Sequence, residues 1–272
     1  MKIIITFLFL LLITSPGFAF RYCFLNNDKV VQFAVDLMKN EGIPGANIDV
    51  WLHQVKEYNN KIEFYNSAKA GWKKSGDEDE FNKSSLIKGN FLNCRVGFFI
   101  LAKDLIQVKD FTRIPQTKDN LDDEIVRMQK MITLSELDIK AFKSLFSPVD
   151  FPAQPFTMKS FDTAVKLYQA WWKKDGLKFP ENKSLKIFQV VIVDPSQKTC
   201  YSDHAALIIE KSGKVYLIEK SGPFTPYVIS EHSSYQELCD YVYSTIYFFA
   251  AKFKTLGIMM LANDEIVWKE NK

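Results

Sequence analysis

The sequence predicts an α+β protein, with helices first and a mostly antiparallel sheet after them. Three patterns carry that expectation. Apolar residues recur every three to four positions through the first half; apolar, β-branched runs follow residue 185; and Ser212-Gly213 separates two of those runs as a hairpin turn.

Residues 1–19 stand apart from this plan. Met1-Lys2 is a short positive start, Ile3 to Ile13 is an almost unbroken apolar run, and Gly17 and Ala19 place small residues where a signal peptidase cuts. The apolar run is too short for a comfortable membrane span, so the expectation is a cleavable signal peptide and a secreted or periplasmic mature chain with no transmembrane span. Lipidation at Cys23 is disfavoured by the bulky Phe20-Arg21-Tyr22 before it.

Residues 20–272 are expected to form one domain: a helical half over 26–146, a connector over 147–157 and a sheet half over 158–272. Val30, Phe33, Ala34, Leu37 and Met38 mark the first helix, which Gly42-Ile43-Pro44-Gly45 stops. A second runs from about Ala46 to Asn59, with Val50, Trp51, Val55 and Tyr58 on one side. Residues 74–90 read as a polar loop, and the acidic run Asp77–Glu80 as solvated. From Cys94 to Leu105 almost no polar face is left, the signature of a buried helix. Two more helices are expected at 121–132 and 136–146, the latter opened by a capping box from Thr133 to Glu136. Pro148, Pro152 and Pro155 stiffen the connector. Phe161, Val165, Tyr168 and Trp172 mark a helix in which the Trp171-Trp172 pair serves core packing.

The strands follow. Leu185–Val193 is apolar and β-branched, and His204–Glu210 and Lys214–Lys220 flank the Ser212-Gly213 turn. Pro226–Ser230 reads as a short edge strand. Ser234 to Glu237 forms a capping box opening a last helix, with Leu238, Val242, Thr245 and Phe249 in register. Gly257–Ala262 and Glu265–Lys269 close the chain as a hairpin around Asn263-Asp264.

Composition narrows the function classes. Thirty-five Lys and Arg against 32 Asp and Glu leave a formal charge of +3 with no dense basic block, which argues against nucleic acid as a partner. No cofactor and no metal is expected: the acidic run lacks the glycine turn and terminal glutamate of a calcium loop.

The chemistry rests on cysteine and histidine. Four cysteines in an exported chain (Cys23, Cys94, Cys200, Cys239) could make two disulfides. Cys94 has a different context. Asn93 is a good N-cap, so Cys94 falls in the first turn of the buried helix, where free N–H groups and the positive helix end favour a thiolate. Of three histidines, His53 lies among polar neighbours on a helix, and His232 lies just before a helix cap, in a loop, as the reserve candidate base. His204 starts a strand. A hairpin centred between Ser212 and Gly213 pairs Ala206 with Glu219 and places His204 and Glu219 on one face, diagonal to each other. Cys94 as nucleophile, His204 as base and Glu219 as orienter form a hydrolase set, with Asp194 and Asp203 as alternative acids. The oxyanion would be met by the backbone N–H of Cys94 and a side-chain amide, Asn90 before Asn93. The competing reading is a non-catalytic secreted or envelope binding protein whose cysteines are structural.

Asn93-Cys94-Arg95 with its helix, Asp203-His204-Ala205-Ala206-Leu207-Ile208, and Ile218-Glu219-Lys220 through Pro226-Tyr227 resemble DUF4300, a family of secreted bacterial proteins of unknown function, over about residues 26–265. More remotely, the order of helix-start cysteine, strand histidine and next-strand polar residue is similar to the NlpC-type and other papain-like thiol hydrolases. That resemblance implies a papain-like fold and cleavage of peptide or amide bonds, with peptidoglycan peptides as substrate. The chain departs from those peptidases in Asn93 and Arg95, where they usually carry aspartate and serine, and in Ala205-Ala206, where valine and glycine are common.

Overall fold

The structure, a computed structural model, describes residues 20–61, 71–74, 92–109, 121–151, 158–194, 196–222, 225–247 and 257–270. Its first helix, α1 (Asp28–Asn40), starts where the Asn27 side chain accepts from the Lys29 N–H, and it buries Val30, Ala34, Leu37 and Met38. Gly42, with φ of 84°, turns the chain into α2 (Gly45–Lys61). That helix buries Ile48, Trp51, Val55 and Tyr58 at the expected spacing. In α3 (Cys94–Ala102) every residue except Arg95 is buried, and a short 3₁₀ turn over Lys103–Leu105 ends it.

Helices α4 (Leu121–Gln129) and α5 (Glu136–Phe146) follow. The capping box of α5 is formed by Ser135 and Asp138, two residues beyond the expected pair. Ser135 Oγ accepts from the Asp138 N–H, and the Asp138 carboxylate accepts from the Ser135 N–H. An acidic residue stands at the third helical position from either cap, so the spacing rule alone does not separate the two solutions. Beyond the connector lies α6 (Met158–Asp175), and α7 (Tyr235–Ile246) is capped by Ser234 as expected. Trp171 and Trp172 both give their indole N–H to the Ser144 carbonyl, and Trp172 is buried, in keeping with a packing role.

Among the described residues nine strands form one antiparallel sheet: β1 (Arg21–Phe24), β2 (Lys73–Lys74), β3 (Val149–Asp150), β4 (Leu185–Asp194), β5 (Thr199–Lys211), β6 (Lys214–Lys220), β7 (Tyr227–His232), β8 (Gly257–Ala262) and β9 (Glu265–Lys269). Their spatial order is β2-β1-β7-β6-β5-β4-β8-β9, with β3 beside β5. The β5–β6 turn has φ of 52° at Ser212 and 72° at Gly213, the double positive φ of a tight two-residue hairpin. It sets the expected register, Leu207 opposite Ile218 and Ile208 opposite Leu217.

Three short strands were not legible in the sequence. β1 pairs with β7, so β7 is an interior strand and not the expected edge. β3 forms inside the proline connector, and β2 pairs Arg21 and Tyr22 of β1 with Lys74 and Lys73. Two- and four-residue strands take their conformation from distant partners, because so few residues carry little propensity of their own. The expected loop, with its acidic run, lies mostly within 75–91, and that part, like Pro152, Pro155, Phe249 and residues 1–19, is outside the described residues. The chain is described from Phe20 onwards; its ring is buried against His232 and Tyr241. No helix among the described residues is long and apolar enough to cross a membrane.

The sheet also explains how a site can form. β4 occupies one edge of β5 along its length, from Leu185 opposite Ile209 to Asp194 opposite Thr199. The other edge is shared: β6 pairs up to Leu207, and β3 only at Cys200 and Thr199. Between them β5 has a break in its pairing. A bulge in β5 falls in the same place, since Val190 faces His204 but Val191 faces Ser202, leaving Asp203 as the extra residue.

Candidate active site

The N-terminus of α3 docks at this break. Asn93 caps the helix, its Oδ1 accepting from the Val96 N–H at 3.0 Å, while its Nδ2 donates to Glu124 of α4 at 2.7 Å. Arg95 binds the same Glu124 oxygen, so one carboxylate ties α4 to both residues flanking Cys94. The Cys94 thiol, 7 % exposed, donates to the carbonyl oxygen of the bulged Asp203 at 3.5 Å. Cap, carboxylate tie and bulge together hold the sulfur against the residue that precedes His204.

His204 is buried and its ring is held from one side by Glu219, Nε2 to Oε2 at 2.8 Å. The second carboxylate oxygen accepts from the Tyr241 hydroxyl of α7 at 3.0 Å. With Nε2 engaged by a carboxylate, Nδ1 is the ring nitrogen left for a second partner. Nδ1 is buried with no hydrogen-bond partner among the described residues, while the Cys94 thiol is close enough to act on the ring by hydrogen bonding and by charge. Cys94 and Glu219 are thus the two neighbours that act on the ring. Burial by itself would lower the histidine pKa; the Cys94 and Glu219 charges outweigh it, and the net shift is upward.

The other candidates fall into place around this set. Asp194 is spent on the turn after β4, accepting from the Ser196 and Gln197 N–H groups, and Asp203 is exposed and accepts from the Tyr247 hydroxyl. Neither bonds the His204 ring, which leaves Glu219 as the orienting acid. His53 is exposed on α2. His232, expected in a loop, instead ends β7 and is buried, bonded to Ser230 Oγ at 2.8 Å and packed on Phe20 and Tyr241. Burial pushes its pKa down to about 3, so it is a neutral packing residue. Asn93 has both polar side-chain atoms engaged and is not available as an oxyanion donor; Asn90 lies outside the described residues. Tyr241 was missed in the sequence, although Leu238, Val242 and Thr245 place it beside the buried stripe of its helix.

All four cysteines are free. Cys23 donates to the Gly71 carbonyl at 3.0 Å, and Cys200 faces the Val149 carbonyl. Burial raises the pKa of Cys23, of Cys200 to about 12, and of Cys239 higher still. The two-disulfide alternative has no support in this arrangement. Iodoacetamide at mildly acidic pH is expected to label Cys94 selectively, read by peptide mapping, because the other three thiols are held protonated. Equal labelling of all four would contradict the assignment.

The chain is thus an α+β protein in which a helix-start cysteine and a carboxylate-held histidine lie together beside a break in a large antiparallel sheet. The chain matches, over residues 21–267, the family model described as a domain of unknown function (DUF4300), and it belongs to that family. No curated protein matches the chain, and no solved structure does.

Proposed function

We propose that this protein is a secreted cysteine hydrolase of papain-like type, a peptidase or amidase acting by thiolate acyl transfer on peptide substrates such as those of the cell wall. The observation that carries the reading is the His204 ring, fixed through Nε2 by Glu219, with Nδ1 unengaged and the Cys94 thiol acting on the ring.

The chemistry follows from that orientation. His204 takes the Cys94 proton through Nδ1, and the imidazolium is stabilised by Glu219. The thiolate attacks the substrate carbonyl, and the oxyanion is met by the Cys94 N–H, one of the groups that the first turn of a helix leaves unbonded. Asn90 is the candidate second donor. His204 gives its proton to the departing amine, then draws one from water as the water attacks the thioester, regenerating Cys94 and releasing the acid. A water-resolved thioester makes a hydrolase; an amine in place of water would make an acyltransferase.

The reading is tested by incubating the protein with purified peptidoglycan and with a defined peptide library and analysing the products by mass spectrometry. New amine and carboxylate ends formed by the wild type and absent with Cys94→Ala support it. Unchanged substrates throughout would favour the binding-protein alternative. Export is tested by N-terminal sequencing of secreted protein, which is expected to start at Phe20; a Met1 start would remove the signal-peptide assignment.

A further inference from the structure

Residue 220 follows the orienting acid on β6 and points to the other face of the sheet, toward α2 and α3. It is a lysine, 3 % exposed, and it lines a narrow crevice with Cys94, Trp51, Phe98 and Tyr227. A lysine almost never occupies such a place without specific support. Here Nζ donates to the carbonyls of Gly222 at 2.7 Å and Thr225 at 2.6 Å, and it lies over the Tyr58 ring at 4.3 Å and the Tyr227 ring at 5.4 Å. Carbonyl dipoles and ring faces favour an ammonium over an amine and so work against the penalty of burial.

We propose that Lys220 is a positioning residue of the thiol site, its buried ammonium a positive charge beside Cys94 that favours the thiolate. This inference rests on the reading of Cys94 as a nucleophile and adds a source for its activation. Lys220 and Cys94 act on each other by charge. Among the described residues, Arg95 on the same helix, His204 on β5 and Tyr247 after α7 also act on that sulfur. Arg95 pairs with Glu124 and His204 with Glu219, and the hydrogen bonds to Gly222 and Thr225 hold the Lys220 ammonium in the crevice that Cys94 also lines. The same two hydrogen bonds close the turn after β6, which anchors the strand end bearing Glu219. Burial lowers the Lys220 pKa to about 7, against which the Cys94 charge works. The charge is therefore full in mildly acid solution and fades as pH rises through neutrality.

The test is the rate of Cys94 alkylation by iodoacetamide, followed from mildly acidic to mildly alkaline pH in the full chain. It needs no substrate. Lys220→Met is expected to move the profile about one pH unit upward, a loss of about tenfold in rate on the acid side. Lys220→Arg, whose charge does not titrate, is expected to keep the acid-side rate and to remove the wild-type inflection near neutrality. Lys220→Gln keeps a donor for the carbonyls and removes only the charge, and it carries the test if the methionine variant does not fold. A folded neutral variant with the wild-type profile would overturn the proposal, as would a wild-type profile with one inflection only. An active enzyme whose profile ignores Lys220 rejects this inference alone. A Lys220-dependent thiol that hydrolyses nothing rejects the hydrolase reading alone.

Discussion

Replacing Cys94 by Ala, His204 by Ala, or both together is expected to give three proteins of nearly equal residual activity, each lower than wild type by about three orders of magnitude or more. The equality is the informative part. A nucleophile and a base that act in one proton transfer lose the whole step when either is removed, so the second substitution finds nothing left to remove. The thiol at the sheet break, the unengaged ring nitrogen and the action of Cys94 on the ring are the structural basis for expecting that unit. Additive losses, with the double variant far below either single one, would mean that the two residues contribute separately.

Glu219 is expected to separate fold from chemistry. Glu219→Ala leaves the buried His204 Nε2–H and the Tyr241 hydroxyl without their acceptor, in a place where both are fully enclosed. Breaking a buried charged pair of this kind costs about 3–5 kcal/mol, which for a domain of this size lowers the Tm by on the order of 10 °C. Glu219→Gln keeps one oxygen acceptor and nearly the same volume, so the fold is expected to hold and part of the activity to remain, with the histidine less firmly oriented. Thermal unfolding and rate measurements on both variants check this. A fully stable Glu219→Ala protein would show that the His204–Glu219–Tyr241 chain is not part of the core.

The candidate site was legible in the sequence to the extent that local rules decide it. Asn93 before an apolar run marks a helix start, and a two-residue turn at Ser212-Gly213 admits only one register for the strands around it. Those two local facts place Cys94 at a helix tip and His204 diagonal to Glu219. What joins them is not local. The break along β5 exists because β3, two residues long, and β6 stop short of each other, and β3 is invisible in a proline-bearing connector. The bulge at Asp203 is likewise set by the pairing with β4. Tyr241 and Lys220 gain their roles from contacts across the sheet, which no spacing within their own segments encodes. His232 shows the same limit from the other side, since β1 and α7 bury a residue that its place just before a helix cap assigns to a loop.

The central claim, that Cys94 is a nucleophile armed by His204, is tested most directly with a small activated ester that needs no recognition of the natural substrate. The protein is mixed with p-nitrophenyl acetate, and intact-mass and peptide analysis locate any acetyl group as the acyl-enzyme forms and decays. The account predicts acetylation of Cys94 in the wild type and loss of that acetylation, with the fold retained, in His204→Ala. Wild-type protein that carries no acetyl group on Cys94, or a His204→Ala variant that acquires it as fast as wild type, would contradict the account.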